Sequence, residues 1–359
     1  MAKEGTRIKE NIVIADIASI RVGANIFGHY GKIAQMYINM FKGTHCVKIA
    51  GGPIYKGIGK NTILLPYDHS LKEMKGSWGQ LRFKLRCIAN GIHLFSKVKN
   101  SVIICQPYSF ASWMTSIIFS PQKSKVYLIE YKNELSSKAN RFLFKIAKRK
   151  IDGVLCPSKE VGEKYQLPYF CVTDYVYDKS ENPTFEEKCD FDFGVFGIMS
   201  SGKDVMHVIR TFAGTRYRVL IAGFCGGRYE EFMKESAPNI TIIDKYLSDE
   251  EYSSSIQRTK IVILPYKDDY KNQSSGVVFD VLFRGKPVLT RKYDTFRFID
   301  SCGIGETYVT EINEVDLDAM VKKAQSGEYY EQIKKFIAEN KLQVELLEKF
   351  IEERGKVSC

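Results

Sequence analysis

Short apolar runs alternate with helical stretches along almost the whole chain, and this alternation limits the folds open to it. The first half carries apolar runs at residues 12–17, 46–50, 102–105, 126–129 and 153–156, and the second half at 193–196, 218–222, 240–243, 261–264 and 287–289. Stretches with helical periodicity lie between them, including 31–41, 80–96 and 140–150. Because buried parallel strands form continuous apolar runs joined by right-handed helical crossovers, we predict two parallel sheets wrapped by helices.

The chain is long enough for two such domains. Its 359 residues, 44% of them hydrophobic, can fill two cores of roughly 150 residues each. The polar, proline-containing segment KSENPTFEEKCD at 179–190 is typical of a linker. We therefore predict an N-terminal domain over 1–180, a second domain over 181–328 and a helical tail over 329–359. Two doubly wound sheets can face each other across a central cleft, with ligands at the carboxyl ends of their strands.

The segment 261–289 combines a buried strand, a polar loop, a helix start and a second strand. Ser274, Ser275 and Gly276 begin the helix, and Gly285 ends it. Unpaired amides at a helix N-terminus bind phosphate, and glycine lets an anion approach the backbone. Asp280 lies one turn further on the same face, where its carboxylate can accept hydrogen bonds from the hydroxyls of a ribose. The same pattern also fits a buried α/β unit with an ordinary serine cap.

Positive charge is concentrated in the first half of the chain. Residues 1–180 contain 28 Lys and Arg against 12 Asp and Glu, a net +16, whereas the remainder is −5. The excess lies mainly in 72–99 and 138–150, and the second of these has the periodicity of a basic amphipathic helix. Each stretch could be a solvated face, a surface for an anionic membrane or a surface for nucleic acid. No zinc-ligand spacing or RNP-type aromatic strand supports nucleic acid.

The second half resembles a known family. The ordered segments FGIMSSGKDVMHVIRTF, YRVLIAG, LSDEEY and ILPYKDDYKNQSSGVVFDVLFRGKPVL are similar to the nucleotide-sugar-binding domain of GT-B glycosyltransferases, specifically the family-4-type enzymes. The resemblance covers roughly residues 190–310. It implies a GT-B fold, in which two Rossmann-like doubly wound domains face a central cleft, and a hexosyltransferase activity.

The resemblance also implies a set of donor-binding residues. In the family, a lysine in the glycine-led loop meets the donor diphosphate, the amides of the Ser-Gly helix start hold phosphate, and an acid in that helix holds the ribose. Asn272 stands where the family motif has its first glutamate, and Ile198 stands where an arginine is common. The residues assigned to donor binding are Gly28, Lys203, Asn272, Ser274, Ser275, Gly276, Val277 and Asp280.

The first half supplies the candidate catalytic residues. The glycine-rich segment 22–37, VGANIFGHYGKIAQMY, follows the first strand, and in similar enzymes that loop comes close to the diphosphate. His29 could then donate a hydrogen bond to donor or acceptor. Glu130, at the end of a predicted strand, is the best-placed general base for an acceptor hydroxyl if the reaction inverts. Weaker candidates are Glu134, Asp16 and Asp68.

These features lead to an ordered set of functional hypotheses. The first is a glycosyltransferase that moves a sugar from a nucleotide-sugar donor to an acceptor, a lipid-linked saccharide of bacterial surface polysaccharide biosynthesis. The alternatives are a nucleotide-sugar epimerase of the same fold and a nucleic-acid-binding protein. The nine cysteines are scattered and the N-terminus lacks a signal-peptide-like apolar stretch, so we expect a cytoplasmic protein, peripheral on the inner face of the membrane. The five dispersed histidines suggest no metal, and we expect no cofactor.

Overall fold

The computed structural model describes residues 9–22, 25–26, 30–41, 44–56, 62–121, 123–131, 134–172, 183–186, 188–271 and 275–353. The chain divides into two compact units. Unit 1 comprises Met1–Lys179 together with Gln343–Cys359, and unit 2 comprises Ser180–Leu342.

The described residues of unit 1 contain ten strands, and seven of them form one parallel sheet. Its strands are β1 (Lys9–Ala15), β2 (Ile20–Val22), β3 (Asn25–Ile26), β4 (His45–Gly51), β5 (Thr62–Leu64), β6 (His69–Ser70), β7 (Ser101–Cys105), β8 (Lys125–Ile129), β9 (Gly153–Cys156) and β10 (Tyr169–Cys171). Its helices are α1 (Tyr30–Phe41), α2 (Gly76–Lys97), α3 (Phe110–Phe119), α4 (Lys138–Ala147) and α5 (Lys159–Tyr165). The sheet has the order β10-β9-β8-β7-β1-β4-β5, and β3-β2-β6 form a small separate sheet.

The core of unit 1 lies on both faces of this sheet. Val13, Ile103 and Leu128 point to one face, where they pack in a cluster with residues of α2, α3, α4 and α5. On the other face, the ring of Tyr127 lies 5.7 Å from that of Phe350, which comes from the end of the chain. Burial on both faces explains why these strands are continuous apolar runs.

Unit 2 is built on a parallel sheet of six strands with the order β13-β12-β11-β14-β15-β16. Its strands are β11 (Phe191–Phe196), β12 (Val219–Gly223), β13 (Ile240–Asp244), β14 (Thr259–Leu264), β15 (Val288–Arg291) and β16 (Gly305–Tyr308). Its helices are α6 (Val205–Phe212), α7 (Tyr229–Glu235), α8 (Asp249–Gln257), α9 (Gly276–Leu282), α10 (Arg297–Ser301), α11 (Leu317–Gln325) and α12 (Glu328–Glu352). In chain order within the unit this is the 3-2-1-4-5-6 arrangement of a doubly wound dinucleotide-binding fold.

The predicted α/β class and the two doubly wound sheets are confirmed. All ten predicted strands are present, with small shifts at their ends, and the run 102–119 is a strand followed by a helix. As far as it is described, the predicted tail forms a single helix, α12, whose first residues belong to unit 2 and whose last residues belong to unit 1. Part of the predicted linker, at 179–182 and 187, lies outside the described residues.

Candidate functional site

The strand order of unit 2 creates a crevice at the carboxyl ends of two central strands. β11 and β14 are neighbours, with β12 and β13 on one side and β15 and β16 on the other. Chain segments leaving β11 and β14 therefore turn in opposite directions. Ligands of open parallel sheets bind at such a switch point, so the loops after β11 and β14 form the candidate donor site.

Lys203 lies in the loop between β11 and α6 with a buried charge. Its side chain is 5% exposed, and its Nζ donates a hydrogen bond to the carbonyl oxygen of Phe196, the last residue of β11, at 2.8 Å. Burial lowers the pKa of Lys203 to about 8. An anion bound beside Nζ would favour the ammonium form, and this makes the position suitable for a phosphate.

Tyr266 joins the Lys203 loop to the start of α9. The backbones of Lys203 and Tyr266 form an isolated β-bridge, and the Tyr266 hydroxyl hydrogen-bonds the Ser275 Oγ. Ser275 is buried and directly precedes α9. The ring of Tyr270 stacks on Tyr266 with 4.0 Å between centroids. Lys203 and Ser275, 72 positions apart in the sequence, are thereby held in one network.

Asp280 lies in α9 next to the same tyrosine. Burial raises the pKa of Tyr266, and the charge of Asp280 contributes to the rise. The pKa of Tyr252 is likewise raised, first by burial and then by the charge of Asp280. The charge of Asp280 therefore acts on both phenols. Gly276 and Val277 form the first turn of this helix, while Asn272 and Ser274 lie outside the described residues.

Two loops of unit 2 approach each other closely next to Lys203. Gly223 ends β12 with a φ of +147°, and a Cβ built on it would lie 1.8 Å from the carbonyl oxygen of Gly197. The Gly197 amide donates to the Ala222 carbonyl at 3.0 Å. Only glycine at 223 allows this approach.

Several residues at this edge were not anticipated from the sequence. Tyr266 supports both halves of the network, and the hydroxyl of Tyr293 donates to its carbonyl oxygen at 3.3 Å. Phe224 and Tyr246, which follow β12 and β13, stack with 4.3 Å between centroids, and Tyr246 is 70% exposed. Their only sequence signal is an aromatic residue within two positions of the end of an apolar strand.

In unit 1, Glu130 follows β8 at the carboxyl edge, as the sequence predicts. It is 5% exposed, and the Tyr165 hydroxyl donates to its Oε2 at 3.0 Å. Burial and the charge of Glu130 raise the pKa of Tyr165. The tyrosine therefore stays protonated and keeps donating to the carboxylate.

The switch point of unit 1 lies between β1 and β7, and polar residues follow both strands. Asp16 accepts hydrogen bonds from the amides of Ala18 and Ser19 and from the Tyr55 hydroxyl. Burial raises the pKa of Asp16. These contacts fix the turn after β1, so Asp16 has a structural role there. Neither Asp68 nor Glu134 shares this position: Asp68 lies 3.6 Å from the Arg21 Nε, and Glu134 begins a short 3-10 helix after β8.

Gln106 follows β7 and is a further residue that the sequence did not single out. It is 1% exposed, and its side-chain Nε2 and Oε1 both lack a hydrogen-bond partner within the described part of the chain. Its main chain is fixed, because its amide donates to the Ala15 carbonyl and its carbonyl accepts from the Trp113 Nε1. The predicted loop residues Gly28 and His29 lie outside the described ranges.

Three further properties of the described ranges bear on metal binding, disulfides and membrane spans. No group of three His, Cys, Asp or Glu side chains there could hold a metal ion. The eight cysteines in those ranges are free thiols. None of the described helices has both the length and the apolar character required to cross a membrane.

The comparisons with known proteins show the fold. No family model and no curated protein sequence matches the chain. Among solved structures, trehalose-6-phosphate synthase OtsA matches with a TM-score of 0.62 and 7% identity over 97% of this chain and 99% of that chain. A glycosyltransferase involved in avilamycin A biosynthesis matches with a TM-score of 0.56 and 10% identity, covering 94% and 98%. A protein from Listeria monocytogenes assigned as a UDP-N-acetylglucosamine 2-epimerase matches with a TM-score of 0.57 and 13% identity, covering 91% of each chain.

Proposed function

We propose that this protein, whose fold is that of the GT-B glycosyltransferases, transfers a sugar from a nucleotide-sugar donor to an acceptor. The observation that carries the proposal is the buried ammonium of Lys203 at the switch point of unit 2. A buried cation without a full counter-charge is unfavourable unless a ligand supplies one. The diphosphate of a nucleotide sugar carries that charge.

Each part of the donor has a matching group in unit 2. Lys203 and the amides that begin α9, at Gly276 and Val277, would hold the diphosphate and stabilise the leaving nucleoside diphosphate. Asp280 would accept hydrogen bonds from the ribose hydroxyls. The exposed ring of Tyr246 offers a stacking surface for the base. No metal ion is required in this scheme, since the lysine and the amides neutralise the developing charge.

The acceptor in this proposal is a lipid-linked saccharide of bacterial surface polysaccharide assembly. The net charge of +16 on residues 1–180 favours an anionic membrane surface as the place where the acceptor is met. The protein would then be cytoplasmic and peripheral on the inner face of the membrane. Glu130 would take the proton of the acceptor hydroxyl in an inverting reaction, and His29 would assist at the diphosphate.

A thermal-shift screen tests the donor site. The wild-type protein is heated with UDP, GDP, ADP, CMP and their common sugar conjugates, because a ligand at 100 times its dissociation constant stabilises by about 2.7 kcal/mol. We expect one nucleoside diphosphate to stabilise the protein selectively, and Lys203→Met and Asp280→Ala to remove the effect. Lys286→Met is the matched control. Lys286 is also buried in unit 2, but it precedes the amino end of β15, away from the carboxyl ends of the strands, and its Nζ donates to the Cys189 Sγ.

The outcomes separate the alternatives. Stabilisation that survives in Lys203→Met, or no stabilisation by any nucleotide, contradicts the proposal. Release of free nucleotide and an altered sugar without any acceptor would identify an epimerase instead. Tight binding of oligonucleotides at moderate salt would favour a nucleic-acid-binding protein.

A further inference from the structure

Helix α2 has two apolar faces, and only one of them is buried. Its inner face carries Phe83, Cys87 and Leu94, which belong to the core of unit 1. Trp78, Leu81, Leu85 and Ile92 are exposed at 83%, 47%, 57% and 40%. At 3.6 residues per turn, this outer stripe is centred about 170° from the inner face. Contiguous exposed apolar side chains of this kind mark an interaction surface.

Basic side chains flank the outer stripe. Residues 71–99 contain seven Lys and Arg but a single acid, Glu73. Lys75, Arg82 and Arg86 fall on one flank and Lys84 on the other when α2 is viewed down its axis. An open groove of about 660 Å³ runs along the first flank, and its lining includes Tyr67, Lys75, Trp78, Leu81, Arg82 and Leu85. The groove therefore combines apolar side chains with basic ones, and Glu73 is the single acid in its lining.

Helix α4 repeats this arrangement nearby. The apolar helix α3 packs against both α2 and α4, so α2 and α4 lie on the same side of the sheet of unit 1. Phe142 and Ile146 of α4 are 66% and 49% exposed, and residues 138–150 contain six Lys and Arg and no acid. Two helices on one side of the sheet, α2 and α4 with α3 packed against both, thus expose apolar side chains among positive charges.

We infer that this face of unit 1 docks on an anionic lipid bilayer, with Trp78, Leu81 and Leu85 inserted among the headgroups and the flanking Lys and Arg side chains contacting anionic headgroups. A basic helix with an aromatic and aliphatic stripe is suited to the membrane interface, where tryptophan is favoured. The inference rests on the proposed function only in that the bilayer would carry the lipid-linked acceptor.

Two other occupants match the surface less well. A symmetric dimer through α2 would place two patches of the same positive charge against each other, which is unfavourable. Nucleic acid would neutralise the charge, but Leu81, Leu85 and Ile146 offer aliphatic groups where bases prefer aromatic stacking partners. An anionic bilayer satisfies both the charge and the apolar stripe.

The chain carries its own probe for this contact. Trp78 is 83% exposed, whereas its other tryptophan, Trp113, is 3% exposed. In the full-length Trp113→Phe protein, emission reports on Trp78 alone. We expect vesicles of phosphatidylglycerol, but not of phosphatidylcholine, to shift that emission to shorter wavelength, and brominated acyl chains to quench it.

Sedimentation with phosphatidylglycerol vesicles measures separately how much the apolar and the basic side chains contribute to binding. The apolar triple variant, which carries Trp78→Ser, Leu81→Ser and Leu85→Ser, should bind vesicles more weakly on the order of 100-fold. Replacing Lys75, Arg82 and Lys84 with Gln should weaken it about fivefold per charge and reduce its salt dependence. Met233→Ser with Val309→Ser is the matched control, since these exposed apolar residues lie in unit 2.

The result that overturns the inference is an unchanged Trp78 emission with phosphatidylglycerol vesicles at low salt, or equal vesicle binding by wild type and the apolar triple variant. Quenching of the Trp78 emission by oligonucleotides at moderate salt would overturn it in favour of nucleic acid. Concentration-dependent dimerisation that is lost in the triple variant would overturn it in favour of a second copy of the chain. Stabilisation by nucleoside diphosphate is measured on the same variants. If it is intact while vesicle binding never occurs, this inference fails together with the membrane-borne acceptor, and the proposed donor site stands. If vesicle binding occurs but no nucleotide stabilises the protein, only the proposed function fails.

Discussion

Replacing Lys203 with methionine should stabilise the protein at neutral pH while it removes donor binding. The variant keeps the length and apolar stem of the side chain but removes a charge that is 5% exposed. It also removes the hydrogen bond from Nζ to the Phe196 carbonyl. The two losses act in opposite directions, so the net effect depends on their sizes.

Removal of the buried charge is the larger of the two effects, and the pKa of Lys203 gives its size. A tenfold change in proton affinity corresponds to about 1.4 kcal/mol, so a fall of the pKa from 10.5 to about 8 corresponds to roughly 3 kcal/mol of unfavourable folding free energy while the lysine is charged. Loss of the hydrogen bond costs about 1 kcal/mol. We therefore expect Lys203→Met to be more stable than wild type by about 2 kcal/mol at pH 7.

The difference should depend on pH in a defined direction. Because the pKa is lowered in the folded state, the penalty on wild type is complete below pH 8 and disappears as pH rises from about 8 towards 10.5. The advantage of the variant should thus vanish by about pH 10.5 and turn into a small deficit above it. A nucleoside diphosphate that needs the charged lysine should bind more weakly above pH 8.

Scanning calorimetry at pH 7 and pH 10 measures this difference, with hydrogen exchange of β11 and β14 as a local check on unit 2. Tryptophan fluorescence is unsuitable, since Trp78 and Trp113 both lie in unit 1. A variant that is less stable than wild type at pH 7, or a stability difference that is the same at both pH values, would refute the reasoning from burial.

Three other predictions concern stability. Gln106→Leu should stabilise unit 1 by about 1 kcal/mol in denaturant unfolding, because it replaces an unpaired buried amide with a side chain of similar size; a loss of stability would indicate that the amide is satisfied in solution. Gly223→Ala should destabilise unit 2 by more than about 3 kcal/mol in calorimetry, since its Cβ would lie 1.8 Å from a backbone oxygen. The control Gly214→Ala, which has open space around it, should cost only about 1 to 2 kcal/mol. Phe350→Ala should destabilise unit 1 by about 3 to 5 kcal/mol, because this side chain is fully buried against Tyr127. A loss of less than about 1 kcal/mol in the free energy of unfolding, measured by denaturant unfolding, would contradict that packing.

Most of the strands that the sequence predicts are buried on both sides, although β13, with a single buried position, was also predicted from its apolar run. The strand at 153–156, for example, is buried at every position, so its run GVLC is apolar throughout. The edge strand β16, with the sequence GETY, has two partly exposed residues and gives no such signal. The short strands β5, β6 and β10 were missed for the same reason, since each has at least one partly exposed position.

The candidate site divides in a similar way. Lys203 and Asp280 could be named as candidates from the sequence, because the ordered series of strand, loop and helix around them resembles a donor-binding domain. The role of Tyr266, which joins Lys203 to Ser275, depends on contacts between separate loops and leaves no local pattern. The same holds for Gln106, because an amide is recognisable as unpaired only once its surroundings are known.

The position of Phe350 also has a consequence for synthesis. Its ring fills the face of unit 1 formed by Tyr127 and Phe170, yet it is translated after the whole of unit 2. At about 5 to 20 residues per second, roughly 10 to 40 s separate the synthesis of β10 from that of Phe350. During this interval the nascent unit 1 exposes the apolar face that Phe350 later covers. The strands of unit 2, although they come later in the chain than those of unit 1, are all synthesised before unit 1 is complete. Chaperone dependence during translation should accordingly concentrate on the first 172 residues.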